Sequence, residues 1–437
     1  MIMELDISKI RKIFFIGIGG IGISALAKMA LSHGMEVSGV NDEESPKTLD
    51  SLRQAGAEIF FQKDFKELPL VDLYVYSDAW INRGPSIIEK AKSTGKPVMS
   101  YFEALGQFTK EYKVIAIAGT HGKTTTSAMI ADILVDAGVD PTVVVGSFIK
   151  KFDSNFIKGN SEYLVVEADE YNKHFLNFTP WITVITNIEA DHLDYYKDLS
   201  DIQDAFKKLI SKTKGFVIYN SKDENSQVPI SECSAQMVDY ATFLGKVPKL
   251  ALPGIHNRMN AGAAMAVAHI MRIPIQKTLE VISRFSGTWR RLEKRGETTG
   301  GVVIYDDYAH HPREIKASLE ALRELYPKSE KNILVVFQPH LYSRTKALFS
   351  DFAKSFTLAD KILILPIYFA REQVDESISS EKLAEAIVEN GEDSQAFADF
   401  ESAESYVKSL KLGPNDIFVT MGAGEAYRVA DNVFNIS

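Results

Sequence analysis

Short apolar runs separated by polar and glycine-rich turns fill the first 110 residues of the chain. Residues 12–16 predict a strand, and the stretch after the next turn predicts a helix through about His33, where Gly34 would end it. Apolar runs that predict further strands lie at 35–40, 57–61 and 72–76. This alternation predicts an α/β domain over residues 1–110.

The same alternation resumes at residue 113 with an apolar strand, a glycine-rich turn and a helix. The apolar face of that helix, which ends before Gly138, carries Ile130, Ile133, Leu134 and Ala137. Strands that look buried, as in a parallel sheet, are predicted at 142–145 and 163–166, and another at 181–186. We expect a second α/β domain over residues 111–290.

A third series follows residues 288–301, whose mixture of basic residues and glycines predicts a linker. Residues 313–326 predict a helix with one apolar face, formed by Ile315, Leu319, Leu322 and Leu325. Strands are predicted at 302–305, 332–337, 361–365 and 416–420. A third domain over residues 291–437 agrees with the length of 437 residues, because one domain takes roughly 150 residues.

Composition limits the partners. The chain is 45% hydrophobic and 24% charged, which is typical of a globular protein. Its formal net charge of −9 argues against nucleic acid or an anionic membrane as the main partner, so we expect small-molecule ligands. Cys233 is the single cysteine, which excludes an intrachain disulfide and fits a reducing, cytoplasmic location.

The N-terminal segment has some features of a cleavable signal, because basic residues precede the apolar run 13–27. We reject this interpretation, since Glu4 and Asp6 dilute the basic segment and four glycines interrupt the run. Elsewhere the sequence does not approach the roughly 18 consecutive apolar residues that span a bilayer. We therefore expect no membrane partner.

The strongest candidate for chemistry is the turn Gly119-Thr-His-Gly-Lys123-Thr124-Thr125, between the strand and the helix of the second domain. Its glycines would let backbone N–H groups face one anion, Lys123 would add a charge, and the Thr124 hydroxyl suits a magnesium ion. The turn is a compact variant of a phosphate-binding loop, because Ile117 stands where the usual pattern has glycine. An ordinary turn with a solvated lysine is the alternative.

A second glycine-rich turn, Gly17-Ile-Gly19-Gly20-Ile-Gly22, joins the first predicted strand to its helix. Glycines in this pattern permit a tight turn and the close approach of a diphosphate, and Asp42 follows about twenty residues later. The pattern leaves the ligand open, since NAD, FAD and UDP-sugars all carry a diphosphate.

Polar residues follow two strands of the second domain. Glu167-Ala-Asp169-Glu170 comes after one buried strand, where a magnesium ligand is expected near a phosphate loop. Asn187, Glu189, Asp191, His192 and Asp194 come after the next and suit metal or phosphate. A solvated strand end and a surface histidine are the alternatives.

Further polar groups lie beyond residue 250. Asn257 and Asn260 precede the alanine-rich run 261–268 and suit the edge of a base, although a plain packed helix fits nearly as well. Two clusters follow strands of the third domain, at 306–312 and 338–345, where open α/β sheets bind ligands. His310 and His311 invite a zinc interpretation, but the sequence offers neither cysteine nor a nearby third ligand.

Together these motifs closely resemble the Mur ligase family, ATP-dependent amide-forming enzymes of peptidoglycan synthesis. The resemblance covers nearly the whole chain. It is carried by both glycine-rich turns, Glu167–Glu170, Thr186–Glu189 with Asp191 and His192, His256 and Asn257 with Asn260, Arg290 and Arg291, Asp306–Pro312, Phe337–His340, and Met421–Gly424.

The resemblance implies an N-terminal Rossmann-like domain for the UDP-sugar, a central P-loop-type ATPase with a mostly parallel sheet, and a C-terminal Rossmann-like domain that brings the amino acid. It implies ATP and Mg²⁺ as cofactors, UDP-N-acetylmuramate and L-alanine as substrates, and a monomer or homodimer in the cytoplasm. ATP would phosphorylate the muramyl carboxylate, and the amine would attack the acyl phosphate.

By match of motif, Lys123 would hold the β- and γ-phosphates, and the metal ligands would be Thr124, Glu167 and His192. The expected catalytic residues are Lys123, His192, His310 and Arg344, the last two near the incoming amino acid. The expected binding residues for nucleotide and sugar are Gly17, Gly19, Gly20, Gly22, Gly119, Thr120, His121, Gly122, Lys123, Thr124, Thr125, Asn257, Asn260, Arg291 and Tyr308.

Two residues depart from the family pattern. Asn41 stands where aspartate is common at the end of the second strand, and Leu341 stands where many members have arginine. A recycling ligase that attaches a murein tripeptide to the same UDP-sugar is the nearest rival within the family. From other classes, a NAD-dependent dehydrogenase would explain Gly17–Gly22 but leaves the phosphate turn without a role, and an inactive ATP-responsive binding protein has no missing motif to support it.

Overall fold

The computed structural model describes residues 5–42, 46–192, 195–230, 233–369 and 372–436. The described chain forms two compact units. The first unit contains residues 1–250 and 259–286, and the second contains residues 251–258 and 287–437. Asp194 of the polar segment after residue 186 lies outside the described residues.

The first unit begins with a five-stranded parallel sheet in the order β3-β2-β1-β4-β5. Its strands are β1 (Lys12–Ile16), β2 (Glu36–Asn41), β3 (Glu58–Phe61), β4 (Leu73–Tyr76) and β5 (Val98–Ser100). Its helices are α1 (Ile21–Ser32), α2 (Pro46–Gln54), α3 (Trp80–Arg83), α4 (Pro85–Ser93) and α5 (Tyr101–Phe108). Helix α5 starts with a capping box, in which Ser100 and Glu103 each accept a backbone N–H from the other.

The second sheet of this unit has seven strands in the order β12-β11-β10-β6-β9-β7-β8, parallel except for the β7–β8 hairpin. Its strands are β6 (Lys113–Ala118), β7 (Thr142–Ile149), β8 (Ser154–Ile157), β9 (Tyr163–Glu167), β10 (Ile182–Ile185), β11 (Phe216–Tyr219) and β12 (Gln236–Asp239). The helices that follow are α6 (Lys123–Asp136), α7 (Leu199–Ser211), α8 (Glu224–Ile230), α9 (Ile255–Ile270) and α10 (Ile275–Ser283).

The second unit contains a six-stranded sheet in the order β13-β14-β18-β15-β16-β17, in which only β13 runs antiparallel to its neighbour. Its strands are β13 (Glu293–Glu297), β14 (Val303–Asp307), β15 (Asn332–Phe337), β16 (Lys361–Ile364), β17 (Ser394–Ala396) and β18 (Asp416–Met421). Its helices are α11 (Pro312–Leu325), α12 (Tyr342–Ala347), α13 (Phe349–Ala353), α14 (Ser380–Glu389), α15 (Phe400–Ser409) and α16 (Tyr427–Phe434).

The central strands are apolar and buried over nearly their whole length. Strand β6 is buried from Val114 to Ala118, and β15 from Ile333 to Phe337. Side chains buried on both faces explain why these strands read as continuous apolar runs. Such strands leave their polar loops at the sheet edges, where ligands bind in open α/β sheets.

The structure confirms the predicted three-domain α/β architecture with mostly parallel sheets. The boundaries at residues 110 and 290 stay predictions. The prediction of a linker over 288–301 was wrong in part, because residues Glu293–Glu297 form strand β13. Its sequence Glu-Lys-Arg-Gly-Glu lacks an apolar face, since an edge strand is only partly buried. Among the described residues, no helix is long and apolar enough to cross a membrane.

Candidate active site

The glycine-rich turn after β1 is shaped by its neighbours in the first sheet. Gly17 has φ +83°, and a Cβ there would lie 2.3 Å from Trp80 Cδ1. The N–H of Gly19 donates to Asn41 Oδ1 at 3.1 Å, and a Cβ on Gly19 would meet the same amide at 2.6 Å. Asn41 therefore supports the turn although it departs from the family's aspartate. Both glycines are required by close approach, as expected for a diphosphate turn.

The other end of this turn leads into helix α1. Gly20 precedes the helix, and Gly22 lies in its first turn. A Cβ on Gly22 would lie 3.1 Å from the Tyr101 ring. Asp42 forms an ion pair of 2.9 Å with Arg83. The N-terminal end of α1, with its positive dipole, therefore lies at the predicted diphosphate turn.

The second turn connects β6 to α6 and is anchored to the segment after β10. Gly119 and Gly122 adopt φ values of +131° and +82°, which favour glycine. The N–H of His121 donates to Asn187 Oδ1 at 3.0 Å, and the Thr186 hydroxyl donates to the His121 carbonyl at 2.6 Å. Two adjacent residues after β10 thus hold the turn just before α6 begins at Lys123.

Lys123 is held inside this turn. Its Nζ lies 2.7 Å from Glu170 Oε2 and 3.0 Å from Oε1, and donates to the Gly119 carbonyl at 2.5 Å. Burial alone would lower the pKa of Lys123, but the carboxylates of Glu170, Asp169 and Glu167 outweigh it and raise that pKa. The ammonium group is therefore charged and faces anions.

Thr124 and Glu167, both predicted metal ligands, lie in contact. The Thr124 hydroxyl donates to Glu167 Oε1 at 2.6 Å, and the other oxygen of Glu167 accepts the N–H of Gly146. Thr125 and Thr126 are buried in the first turn of α6. A hydroxyl beside a carboxylate is a donor set that suits Mg²⁺.

His192 joins a second acidic group. Its Nε2 lies 3.6 Å from Glu170 Oε1, and Asp169, Glu170 and His192 present ligand atoms within 4.8 Å of one another. Burial opposes its charge, but Glu170 and Asp191 raise the pKa of His192. A φ of +54° places His192 in the left-handed region, a strain that is found at functional sites.

The sequence did not assign individual roles to Asp169 and Glu170, although both belong to the quoted Glu167–Glu170 motif. Glu170 is 2% exposed and is the direct partner of Lys123. The signal that could have found it is the motif itself, because three acidic residues leave one buried strand end.

The two asparagines that were predicted to contact the base, Asn257 and Asn260, fall in different compact units. Asn260, in the first unit, accepts a hydrogen bond from Thr126 Oγ1 at 3.2 Å, and its Oδ1 would lie 2.3 Å from a Cβ on Gly122. It therefore packs on the phosphate turn. Asn257, in the second unit, donates to the Pro253 carbonyl at 2.8 Å.

The adjacent arginines of the second unit have different surroundings. Arg290 is buried and donates to Asp306 Oδ2 at 2.8 Å and to the carbonyls of Gly424 and Gly422 at 2.8 and 2.6 Å. Arg291 is only partly buried and lies over the Tyr308 ring at 5.0 Å. Arg290 thus ties β14 to the loop after β18, while the predicted ligand contact of Arg291 stays a prediction.

His310 occupies a partly buried position after β14. Its Nδ1 lies 2.9 Å from the Tyr308 carbonyl and 3.3 Å from Glu314, and its ring centroid lies 5.9 Å from that of His340. Burial, aided by the positive charge of Arg344, lowers the pKa of His310 to about 4. The imidazole is therefore neutral near pH 7, with Nδ1–H directed to the Tyr308 carbonyl.

Its neighbour His311 has a structural task, because its Nδ1 accepts the N–H of Arg313 and caps helix α11. Among the described residues, only Asp169, Glu170 and His192 bring three possible metal-ligand atoms within 4.8 Å of one another. The pair His310 and His311 therefore gains no support as a zinc site.

Arg344 is the third residue of helix α12, which begins at Tyr342. The Leu341 carbonyl accepts the N–H and the hydroxyl of Thr345 at 3.1 and 2.7 Å, and Leu341 itself has φ +70°. A bulky residue in that region is an outlier. The alternative that Arg344 caps a helix starting near Thr345 does not agree with the structure, because the helix begins at Tyr342 and already contains Arg344.

Family models match nearly all of the chain. The model of the Mur ligase family catalytic domain matches residues 12–113, that of the Mur ligase middle domain residues 117–248, and that of the Mur ligase glutamate ligase domain residues 290–424. The chain therefore belongs to the Mur ligase family and is an ATP-dependent ligase.

Its similarity to individual members is more specific. The chain is 40% identical to the UDP-N-acetylmuramate–L-alanine ligase of Caldanaerobacter subterraneus and 39% identical to that of Clostridium acetobutylicum, each over 98% of both chains. The crystal structure of UDP-N-acetylmuramate–alanine ligase from Thermotoga maritima matches with a TM-score of 0.79 and 26% identity, over 97% of this chain and 98% of that one.

Proposed function

We propose that this protein joins L-alanine to the carboxylate of UDP-N-acetylmuramate with consumption of ATP, in peptidoglycan precursor synthesis. The observation that carries the proposal is the charged, partly buried Lys123 in a glycine turn, surrounded by the carboxylates of Glu167, Asp169 and Glu170. Relatives that are about 40% identical over nearly the whole chain bear the name of this activity.

The phosphate turn would bind the triphosphate of ATP. Backbone N–H groups of residues 119–125 and the dipole of α6 favour an anion there. Lys123 would exchange the Glu170 carboxylate for the β- and γ-phosphates, an exchange of one anion for another that leaves the ammonium group paired. Asn257, Asn260 and Arg291 would contact the nucleotide.

The oxygen donors of the site fit magnesium, a hard cation. Thr124 and Glu167 would hold one ion and His192 a second, with Asp169 and Glu170 as further acidic neighbours. Bound magnesium supplies positive charge that neutralises the phosphates. The orientation of these side chains is prepared by the Gly146 N–H at Glu167 and by the strained backbone of His192.

The turn Gly17–Gly22 would hold the diphosphate of the UDP-sugar. A free carboxylate is a poor electrophile, so the γ-phosphoryl group of ATP would be transferred to it with release of ADP, and the amine would attack the resulting acyl phosphate with loss of inorganic phosphate. The tetrahedral intermediate carries negative charge, which fixed cations such as Lys123 stabilise. The proposal includes a cytoplasmic location, which the single cysteine predicts and which matches the supply of nucleotide substrates. It also includes a monomeric or homodimeric state.

Amino-acid recognition would use the second unit. The planar fork of Arg344 donates two hydrogen bonds to one carboxylate. The neutral His310 is able to accept a proton from the amine as it attacks, and Tyr308 orients it through its carbonyl. Leu341 places an apolar side chain where many relatives carry a second arginine, which favours a small uncharged amino acid.

The rival within the family is a ligase that attaches a murein tripeptide. A murein peptide ligase structure from Psychrobacter arcticus matches with a TM-score of 0.72, but at 21% identity this shows the shared fold alone. The higher identity to the L-alanine ligases favours alanine.

Phosphate release with ATP, Mg²⁺ and UDP-N-acetylmuramate tests the proposal. We expect turnover with L-alanine, weaker turnover with glycine or L-serine, and little with L-alanyl-γ-D-glutamyl-diaminopimelate. Preference for the tripeptide would establish the recycling ligase. Calorimetry with NAD and with UDP-N-acetylmuramate tests the dehydrogenase alternative. Tight NAD binding without a response to UDP-N-acetylmuramate would support a dehydrogenase.

A further inference from the structure

His174 lies between the two sheets of the first unit and contacts an acidic residue of each. Its Nε2 is 2.9 Å from Asp78 Oδ2, and its Nδ1 is 3.5 Å from Asp169 Oδ2. Asp78 follows β4 of the first sheet, and Asp169 follows β9 of the second. One buried imidazole, 7% exposed, therefore connects the strand ends of the two sheets.

The backbone before His174 is strained in a way that aims this side chain. Asn172 and Lys173 adopt φ values of +52° and +58°, two consecutive residues other than glycine in the left-handed region. Such residues are strained, so the surrounding contacts must hold the segment. The N–H of Phe175 donates to the Asp169 carbonyl at 2.9 Å, and that of Lys173 donates to the Glu170 carbonyl at 3.0 Å.

Aromatic contacts extend from His174 to the diphosphate turn. Its ring stacks on Phe102, with centroids 3.9 Å apart and planes at 15°. Phe102 packs against Tyr101 at 4.6 Å, and the Tyr101 ring fills the space beside Gly22. Because Gly22 belongs to the turn expected to hold the UDP-sugar, a shift of that turn would displace the aromatic rings that pack against His174.

Contacts on the other side reach the acidic group near Lys123. Tyr171 lies against His174 at 6.1 Å and against His192 at 4.9 Å, and Asp169 is one of the three residues that converge with Glu170 and His192. The sequence analysis did not single out His174, because its two carboxylate partners are 96 and 5 residues away along the chain.

Two other contacts connect the same two halves of the first unit, but neither involves the acidic group of Asp169, Glu170 and His192. Lys47 and Asp153 form an exposed ion pair of 3.1 Å. Lys28, which is buried, donates to Asn155 Oδ1 at 2.9 Å, and the Asn155 amide donates to the Ile21 carbonyl of α1. These pairs hold α1 and α2 to the β7–β8 hairpin, whereas His174 alone among these three contacts touches the acidic group of the phosphate site.

We propose that His174 is a positioning residue that couples the sugar-nucleotide site to the ATP site by holding Asp78 to Asp169. This inference rests on the proposed function, because it takes UDP-N-acetylmuramate and ATP as the two ligands. Occupation of either site then stabilises the arrangement that the other ligand binds. Coupling of two sites through a shared contact is reciprocal, and is typically 5–150-fold in affinity.

The test measures the affinity for UDP-N-acetylmuramate by calorimetry, with and without Mg²⁺ and a non-hydrolysable ATP analogue. In the wild-type protein we expect the analogue to tighten binding about tenfold. In His174→Ala we expect each ligand alone to bind within about threefold of wild type, with the tightening lost. The KM for UDP-N-acetylmuramate at saturating ATP should rise by the same factor, while the dissociation constant of the ATP analogue measured without the sugar nucleotide changes little.

Three further variants separate coupling from simple loss of packing. His174→Gln keeps an N–H donor at the position that faces Asp78, and should recover part of the coupling. Asp78→Asn should weaken the coupling from the other end. Lys47→Ala removes the exposed ion pair between the same sheets and should keep it, because exposed pairs contribute little.

Absence of coupling in the wild-type protein would overturn the inference, as would full coupling in His174→Ala. If His174→Ala and His174→Gln weakened the binding of each ligand alone to the same extent, the role of His174 would be purely structural. That result would also overturn the inference. The proposed function fails differently, by absence of alanine-dependent phosphate release in the wild-type protein, so the two failures are distinguishable.

Discussion

Two histidines of this molecule differ in charge near pH 7, His174 being cationic and His310 neutral, although both lie beyond the carboxyl ends of parallel strands. Around the phosphate turn, carboxylates raise the pKa of His192 and bring that of His174 to about 9. In the second unit, burial lowers the pKa of His310 to about 4 and raises that of Asp307 to about 6. One region favours charged groups, and the other favours neutral ones.

The difference comes from partners and not from depth. The His310 and Lys123 side chains are similarly buried, 20% and 16% exposed, yet the carboxylates around Lys123 outweigh desolvation, whereas Glu314 beside His310 does not. The contrast suits the proposed chemistry, since phosphate groups need fixed charge, whereas an attacking amine needs a neutral base. The same side chain thus serves two purposes because its neighbours differ.

The largest effect is expected from removing the cation of the charged region. Lys123→Ala should lower the rate of ATP-dependent ligation by about 10²-fold or more, because the phosphates lose their fixed charge. Circular dichroism should show an intact fold. Lys113→Ala is the matched control, because that lysine forms an exposed pair with Glu162 on the strand leading to the same turn. Ligation at a near-normal rate by folded Lys123→Ala would contradict the assignment.

Removal of the neutral base tests the other region. His310→Ala should lower kcat by about 10²-fold and leave the affinity for an ATP analogue unchanged, because its task is proton transfer. His311→Asn provides the control, since asparagine keeps a side-chain acceptor at the N-terminus of α11. If His310→Ala retains wild-type kcat, the neutral histidine has a packing role only.

A smaller effect is expected for the charged group that faces His310. Arg344→Lys should raise the KM for L-alanine by about tenfold while the KM for ATP changes little, because lysine keeps the charge and loses the planar fork. Steady-state kinetics with each substrate varied in turn measures both constants. Lys346→Ala, in the same helix but paired with Asp375 at the surface, should leave both unchanged. Wild-type alanine kinetics in Arg344→Lys would remove this residue from the site.

The smallest effect concerns stability in the neutral region. Asp307 has a folded-state pKa above its usual value, so its protonated form stabilises the fold below about pH 4, and this contribution is lost as the pH rises through about 6. Asp307→Asn removes this titration. From pH 5 to 7.5, the wild-type protein should lose about 1 kcal/mol of unfolding free energy relative to the variant.

Urea unfolding at the two pH values measures that difference. Ser318→Ala is a companion variant, because the Ser318 hydroxyl donates to Asp307 and favours its ionised form. It should enlarge the pH dependence where Asp307→Asn abolishes it. A constant difference between wild type and Asp307→Asn would show that burial does not perturb this carboxyl, and would weaken the contrast between the regions.

Much of this protein follows from local sequence. The central strands were predicted closely, because buried parallel strands such as Asn332–Phe337 are continuous apolar runs. Both glycine turns were also predicted, since positive φ and close approach at Gly17 and Gly122 leave little choice of residue. Strand β13 was missed because a polar edge strand has no such signature.

Tertiary structure alone decided which polar groups meet and which charge they carry. Lys123 and Glu170 are 47 residues apart, and Asp78 and His174 are 96 apart, so local patterns do not show these pairs. Adjacent residues of one type, Arg290 and Arg291 or His310 and His311, also acquired different tasks. The physical reason is that a protonation state depends on desolvation and on charges within a few ångströms, and those distances are set by the packing of sheets and helices, not by spacing along the chain.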